Sequence, residues 1–402
     1  MSDFYQTGIV TTLHRLGRPD VDRLEGQLVP LAKERRLALV LPSLYSELER
    51  PALEHIVSEL SQVPYLHEII ISLDGADGKQ FDHAREFFSR LPQRHRIIWG
   101  DGQRIQALYD LLRKNDLFVG DRGKGRGAWM AYGYILAGAE SDVIALHDCD
   151  VLTYNREMLA RLVYPVVNPN LDYRFCKGYY SRITNRMHGR VTRLLMTPLI
   201  RSLQRLVGHL GLLRYLDSFR YILAGEFSMG SDLARANRVP SDWGLEVGML
   251  AEIYRNVAVQ RICQVDLAAN YEHKHQTLSE NDPGRGLMKM AVDISKSLFR
   301  TLAAEGVALS AGLFRTLQAS YRRTAEDTIE RFYADAAING LEFERHDEET
   351  AVEAFTRAIQ IASEQFLNDP LGAALIPNWN RVTSAVPDFL GKFFAAVEAD
   401  NA

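Results

Sequence analysis

The sequence predicts an α/β fold, an open and mostly parallel Rossmann-like sheet with flanking helices, followed by a helical C-terminal region. Three observations predict it. Apolar runs of strand length alternate with stretches of helical spacing between residues 37 and 146. The runs ending at Asp74 and Asp148 stop abruptly in acidic turns, as buried parallel strands do at the edge where such sheets bind ligands. From Leu287 onward strand signals fade and long amphipathic patterns take over.

Taken in order, residues 1–36 read as an N-terminal helical extension, with a helix over 21–29 whose polar face carries Asp22, Arg23 and Glu25. Residues 37–41 form a continuous apolar run that Pro42 should end, so a first buried strand is expected there, with a loop after it. Leu53, Ile56, Val57 and Leu60 share one face of a helix over 51–60. Residues 68–73 repeat the strand design, then a helix is expected over 81–88, a strand over 96–99 and a helix over 105–112. A glycine-rich loop over 120–127 should lead into a helix over 128–139, which feeds the strand 143–146. Beyond Asp150 a strand over 172–180 and a long helix over 191–216, broken or started afresh near Pro198, are expected. Amphipathic helices follow over 288–302, 313–332 and 349–366. The domain division is therefore 1–36, a ligand-binding sheet domain over 37–275, and a helical region over 276–402.

Composition narrows the function classes. With 402 residues, 47% of them hydrophobic, the chain can bury a substantial core. A formal charge of -4 with both signs interspersed argues against nucleic-acid binding. Cys149, Cys176 and Cys263 are odd in number and form no Cys-x-x-Cys pair, so neither a disulfide framework nor a zinc site is expected. No stretch approaches the ~20 apolar residues that span a bilayer. The expectation is a soluble cytoplasmic protein with no membrane partner.

Asp148 and Asp150 follow a buried strand with one residue between them, and extended backbone puts both carboxylates on the same side. Two converging anions call for a hard divalent cation, Mg2+ or Mn2+, which takes oxygen ligands and leaves positions for phosphate. Alone, the pattern also fits solvated aspartates at a strand end. Residues 121–127 place three glycines and three cations before a helix, which suits a phosphate or, equally, a basic surface loop. Glu226 follows a short apolar run, and by itself reads as a capping or salt-bridging group. His273 and His275 each offer an imidazole to a metal already held by a carboxylate. His188-Gly189-Arg190-Val191-Thr192 precedes the helix body expected from Leu194, so Arg190, the Thr192 hydroxyl and backbone N–H groups could form one anion pocket.

In this order, Leu41-Pro42-Ser43-Leu44, Gly123-Lys124-Gly125, Asp148-x-Asp150, Gly189-Arg190-Val191-Thr192, Leu223-Ala224-Gly225-Glu226, Gly244-Leu245-Glu246-Val247-Gly248 and His273-Lys274-His275 resemble a known family. The chain is similar to the retaining glucosyl-3-phosphoglycerate and mannosyl-3-phosphoglycerate synthases, nucleotide-sugar glycosyltransferases of the GT-A fold. The resemblance implies that Asp150 and His273 hold Mg2+ or Mn2+, with Asp148 on the metal or the ribose. It implies that Pro42, Ser43, Leu44 and Glu47, with Ser72 and Asp74, hold the nucleoside, and that Lys124 offsets charge near it. Gly189, Arg190, Val191 and Thr192, with His275, would bind 3-phosphoglycerate. Glu226 would position the sugar or polarise the acceptor, joining Asp150 as a catalytic residue. The loop after Pro42 reads Ser-Leu-Tyr-Ser-Glu where the family more usually has Ala-Leu-Asn-Glu-Glu.

The expected donor is UDP-glucose or GDP-glucose, with GDP-mannose as the alternative. A nucleotidyltransferase and a catalytically inactive scaffold are the competing readings. A homodimer is expected through the C-terminal helices, because the apolar stripes over 313–332 and 389–397 exceed what one side of a sheet covers.

Overall fold

Alternation along the second strand decides how the molecule is layered. Ala38 and Val40 point into one apolar core while Leu37, Leu39 and Leu41 point into another, on the opposite side of the sheet. A strand buried on both faces must carry helices on both. The computed structural model, which describes residues 8–17, 20–241, 243–273, 285–372 and 374–402, shows this arrangement. Eight strands among the described residues form one sheet: β1 (Thr11–Leu13), β2 (Leu37–Leu44), β3 (Glu68–Asp74), β4 (Arg94–Trp99), β5 (Val143–Leu146), β6 (Phe175–Tyr180), β7 (Phe227–Gly230) and β8 (Ile262–Ala268). Their order is β1-β8-β6-β7-β5-β2-β3-β4. Every pairing is parallel except those of β7, which runs antiparallel to β5 and β6.

That one reversal builds the site. The residues after β2, β3, β5 and β8 lie at the carboxyl edge, and because β7 runs backward the residues before it lie there too. After β3 and β4 on one side of β2 the chain crosses to β5 on the other, and the crevice of such a sheet opens at this switch point.

Several expectations change. The first strand does not stop at Pro42 but continues to Leu44. Pairing with β5 ends at Val40, so beyond it the missing N–H of Pro42 interrupts no ladder on that side. The helix expected over 128–139 begins at Lys124 and runs to Gly138, which turns the glycine-rich loop into a first helical turn. The fresh start expected near Pro198 is found: residues Val191–Met196 form a wide π turn, and the α-helix Thr197–Val207 begins directly after it with Pro198 in its first turn. A wide turn accommodates a proline that cannot donate to the preceding turn. The break comes at Gly208, before the helix Gly211–Asp217.

The first 36 residues are not only a helical extension, since β1 joins the sheet edge beside β8 and Glu25 on the helix Val21–Glu34 receives a 2.7 Å bond from Arg156. The C-terminal helices share a continuous core with the sheet. Trp379 stacks on Trp129 with 4.3 Å between ring centres. The last helix, Phe389–Asn401, covers the β4 edge, where the Asn401 amide accepts from the Ile97 N–H at 3.0 Å and donates to the Ile97 carbonyl at 2.8 Å. Phe314, Leu317, Tyr321, Phe389, Phe393 and Val397 are all buried within the subunit. The apolar stripes expected to face a second subunit are therefore buried within this one. Among the described residues no helix is long and apolar enough to cross a membrane.

Candidate active site

The carboxyl edge opens into a cavity of about 900 Å³. At one end, Pro42, Ser43, Leu44 and Glu47 from the β2 edge face Ser72 and Asp74 from the β3 edge. Asp74 is buried; burial raises its carboxyl pKa, and Arg126 and Arg122 only partly offset this. Arg126 lies with its guanidinium carbon 4.7 Å from the Tyr109 ring centre. The glycines of the Lys124 turn serve close packing. A Cβ on Gly125 would stand 2.1 Å from the Pro240 carbonyl oxygen, and one on Gly127 would stand 2.7 Å from the Ser72 hydroxyl.

In the middle, Lys124 projects from the helix start to Asp148, 2.6 Å away, and to Glu246, 3.3 Å away. Burial alone would depress the Lys124 pKa, but Asp148 and Glu246 outweigh it and the ammonium is held well above its usual range. Gly225 makes the approach possible, since a Cβ there would lie 2.4 Å from Asp148 Oδ2 and 2.5 Å from Lys124 Nζ. Asp150 turns the other way, to His273 Nδ1 at 3.5 Å. Burial raises the Asp150 carboxyl, but His273 overcomes it, aided by Lys124, and the net shift is downward. His273 is held in place by its pairing with Val151 across a short bridge.

No three histidine, cysteine, aspartate or glutamate side chains among the described residues gather into a ready-made metal cage. Asp148, expected on the metal or the ribose, pairs with Lys124 through Oδ1. The Asp150–His273 pair still fits a divalent ion, because Mg2+ and Mn2+ commonly take only one or two protein ligands and complete their shell with phosphate and water.

Glu226 does not line the cavity. It is completely buried behind the wall, where Tyr180 donates to one carboxylate oxygen at 2.9 Å and Tyr271 donates to the other. The two tyrosine rings stack with centres 3.6 Å apart, and Tyr180 lines the cavity. Burial raises the Glu226 pKa, and Asp148 adds to it. The carboxylate expected to face sugar or acceptor is thus covered by the two tyrosines.

At the far end, Gly189, Arg190, Val191 and Thr192 line the cavity. The Thr192 hydroxyl is buried and without a hydrogen-bond partner among the described residues. Arg190 Nε bonds Glu348 at 3.0 Å, and Nη2 faces Asp347 at 3.4 Å. His275 lies outside the described residues. Sequence reasoning missed Tyr180, Tyr271, Asp347 and the cavity-lining Lys289. It quoted Glu246 without giving it a task, although its place beside a helix start was a usable signal.

Comparison with known proteins then decides the family. The glucosyl-3-phosphoglycerate synthase of Persephonella marina is 46% identical over 401 residues, 100% of this chain and 99% of its own. That of Methanococcoides burtonii is 41% identical over 403 residues, 99% and 98% of the two chains. The chain belongs to the glucosyl-3-phosphoglycerate synthase family. No family model matches it. A solved synthase from Mycobacterium tuberculosis, in complex with Mn2+, UDP-glucose and phosphoglyceric acid, has the same fold. Its TM-score is 0.54 at 21% identity, over 73% of this chain and 88% of that one. The synthases are glycosyltransferases, and the shared fold makes the α/β sheet described above a GT-A sheet.

Proposed function

We propose that this chain transfers the glucosyl group of UDP-glucose to the hydroxyl of 3-phosphoglycerate, with retention at the anomeric carbon and Mg2+ or Mn2+ as cofactor. The observation that carries this reading is full-length identity of 46% to a relative bearing the glucosyl name. UDP, rather than GDP, is supported by the Mycobacterium tuberculosis structure holding UDP and Mg2+.

Asp150 and His273 would hold the divalent ion, which supplies Lewis-acid stabilisation of the departing diphosphate. Lys124 holds Asp148 in place beside the donor site, so that one oxygen of Asp148 remains for the ribose. The β2 and β3 edges, through Ser43, Glu47, Ser72 and Asp74, take the nucleoside. At the other end Arg190 and the unpartnered Thr192 hydroxyl bind the acceptor's phosphate, the guanidinium fork matching two of its oxygens.

Because Glu226 is sealed behind Tyr180 and Tyr271, it is not available to attack the sugar, which supports same-face attack over a covalent glycosyl-enzyme. The acceptor hydroxyl then enters beside the leaving diphosphate, which takes its proton. Glu226 acts as a positioning residue that orients Tyr180. We place the enzyme in the cytoplasm, where its three free, buried cysteines suit reducing conditions.

The test is UDP release and product anomeric configuration from UDP-glucose, 3-phosphoglycerate and Mn2+. Expected is an α-linked glucosyl-3-phosphoglycerate. Faster turnover of GDP-mannose would overturn the donor assignment, and release of pyrophosphate would overturn the reaction class.

A further inference from the structure

The first turn of the helix Arg345–Asn368 reaches the acceptor end of the cavity and has no part in the roles above. It brings two adjacent carboxylates to Arg190, and they stand in different physical settings. Glu348 is nearly sealed, with 6% of its side chain exposed, and both its oxygens are engaged. Arg190 donates to it at 3.0 Å, and Arg193 donates at 2.7 and 3.2 Å. Arg193 is itself anchored by the His188 carbonyl at 2.9 Å and lies over the Phe332 ring. Asp347 lines the cavity, is 51% exposed, and makes one long contact of 3.4 Å to Arg190 Nη2.

Resting on the reading of Arg190 as the acceptor's phosphate reader, we propose that Asp347 is a placeholder which the incoming phosphate displaces, while Glu348 is the positioning residue that keeps Arg190 aimed at the cavity. A carboxylate oxygen and a phosphate oxygen compete for the same guanidinium N–H, and the two anions repel each other at contact distance. Asp347 is the one free to leave, because its single exposed contact is cheap to break, whereas Glu348 cannot leave without stranding two arginines. The arrangement has a use in a site that also receives a diphosphate: a bare arginine would capture any passing phosphate, and the placeholder raises the threshold for all of them. The C-terminal helices thereby set acceptor affinity.

The test measures initial rates of the full chain against 3-phosphoglycerate at saturating UDP-glucose and Mn2+, with inorganic phosphate as a competing anion. Variants are Asp347→Asn, Glu348→Gln and Arg190→Ala, with melting temperature checked for each. Asp347→Asn should lower KM for 3-phosphoglycerate about two- to fivefold and tighten inhibition by inorganic phosphate in parallel, the size of one exposed ion pair. Glu348→Gln should raise that KM about tenfold or more while KM for UDP-glucose holds, as expected for losing a buried charge-assisted hydrogen bond. If Arg190→Ala raises KM but Asp347→Asn leaves it unchanged or raises it, the placeholder is wrong and the acceptor reading stands. If Glu348→Gln leaves it unchanged, the positioning role is wrong. Unchanged KM in Arg190→Ala would sink both the placeholder and the acceptor pocket.

Discussion

Among single residues, Gly225 shows how little room the donor side leaves. Any Cβ there would enter the space shared by Asp148 and Lys124, whose 2.6 Å contact organises the centre of the cavity. Gly225→Ala should therefore cut kcat/KM for UDP-glucose by about tenfold or more, since displacements of this size at a reacting centre are costly. Its melting temperature should move little; an active enzyme with wild-type kinetics would show that the pair tolerates displacement. Lys177 offers a different test. It is fully buried on β6, donating to the Ala224 carbonyl at 2.5 Å, and burial pushes its pKa down to about 8 from the ordinary 10.5. Between those two pH values the unfolded chain binds the extra proton and the folded chain does not, so stability rises with pH across that window. The full penalty applies below about pH 8, as the buried charge is then present. The integrated effect is on the order of 3 kcal/mol. In urea unfolding from pH 7.5 to 10, wild type should gain stability relative to Lys177→Met with this slope, and parallel curves would mean that the ammonium is not depressed.

Elements acquire their roles from what packs on them. The last helix closes the β4 edge by lending the Asn401 side chain to a backbone ladder that lacks a neighbouring strand. It also clamps that edge through Glu398, which takes Arg96 bidentately at 2.9 Å and the Tyr134 hydroxyl at 2.5 Å. Asn401→Ala leaves the Ile97 N–H and carbonyl without these partners and should cost about 1–3 kcal/mol, read from denaturant unfolding. No measurable loss would mean that water replaces the amide at this edge. The same scale explains the helix that begins at Lys124. Three glycines look like a loop in sequence, yet two of them, Gly125 and Gly127, lie inside the helix where Pro240 and Ser72 come too close for a Cβ.

For the whole molecule, the shared core determines behaviour. One apolar cluster runs from Val10 through the sheet and the Lys124–Gly138 helix to Val397. The sheet and the C-terminal helices should therefore unfold together, in a single calorimetric transition. UDP-glucose with Mn2+ should raise that one transition by mass action, by about 2.7 kcal/mol at a hundred times Kd. Two separated transitions, with only the earlier one responding to ligand, would instead support an independent unit from residue 276 onward.

Much of this was legible in the chain alone. Buried parallel strands favour continuous apolar runs that stop where charge begins, so β3, β5 and their acidic ends stood out, and with them Asp74, Asp148 and Asp150. Helical periodicity exposed the C-terminal helices for the same reason, since an amphipathic stripe is local in sequence. The resemblance carried by the ordered motifs named the family that full-length identity then established. Tertiary structure alone decided which partners those residues face. Asp148 pairs with Lys124, and Glu226 lies behind two tyrosines because the antiparallel β7 brings the residues before it to the carboxyl edge. The charged run holding Asp347 and Glu348 reads as a solvated helix face until the helix is docked against Arg190. Contacts between residues 157 and 158 positions apart leave no periodic trace, because nothing local in the chain depends on them.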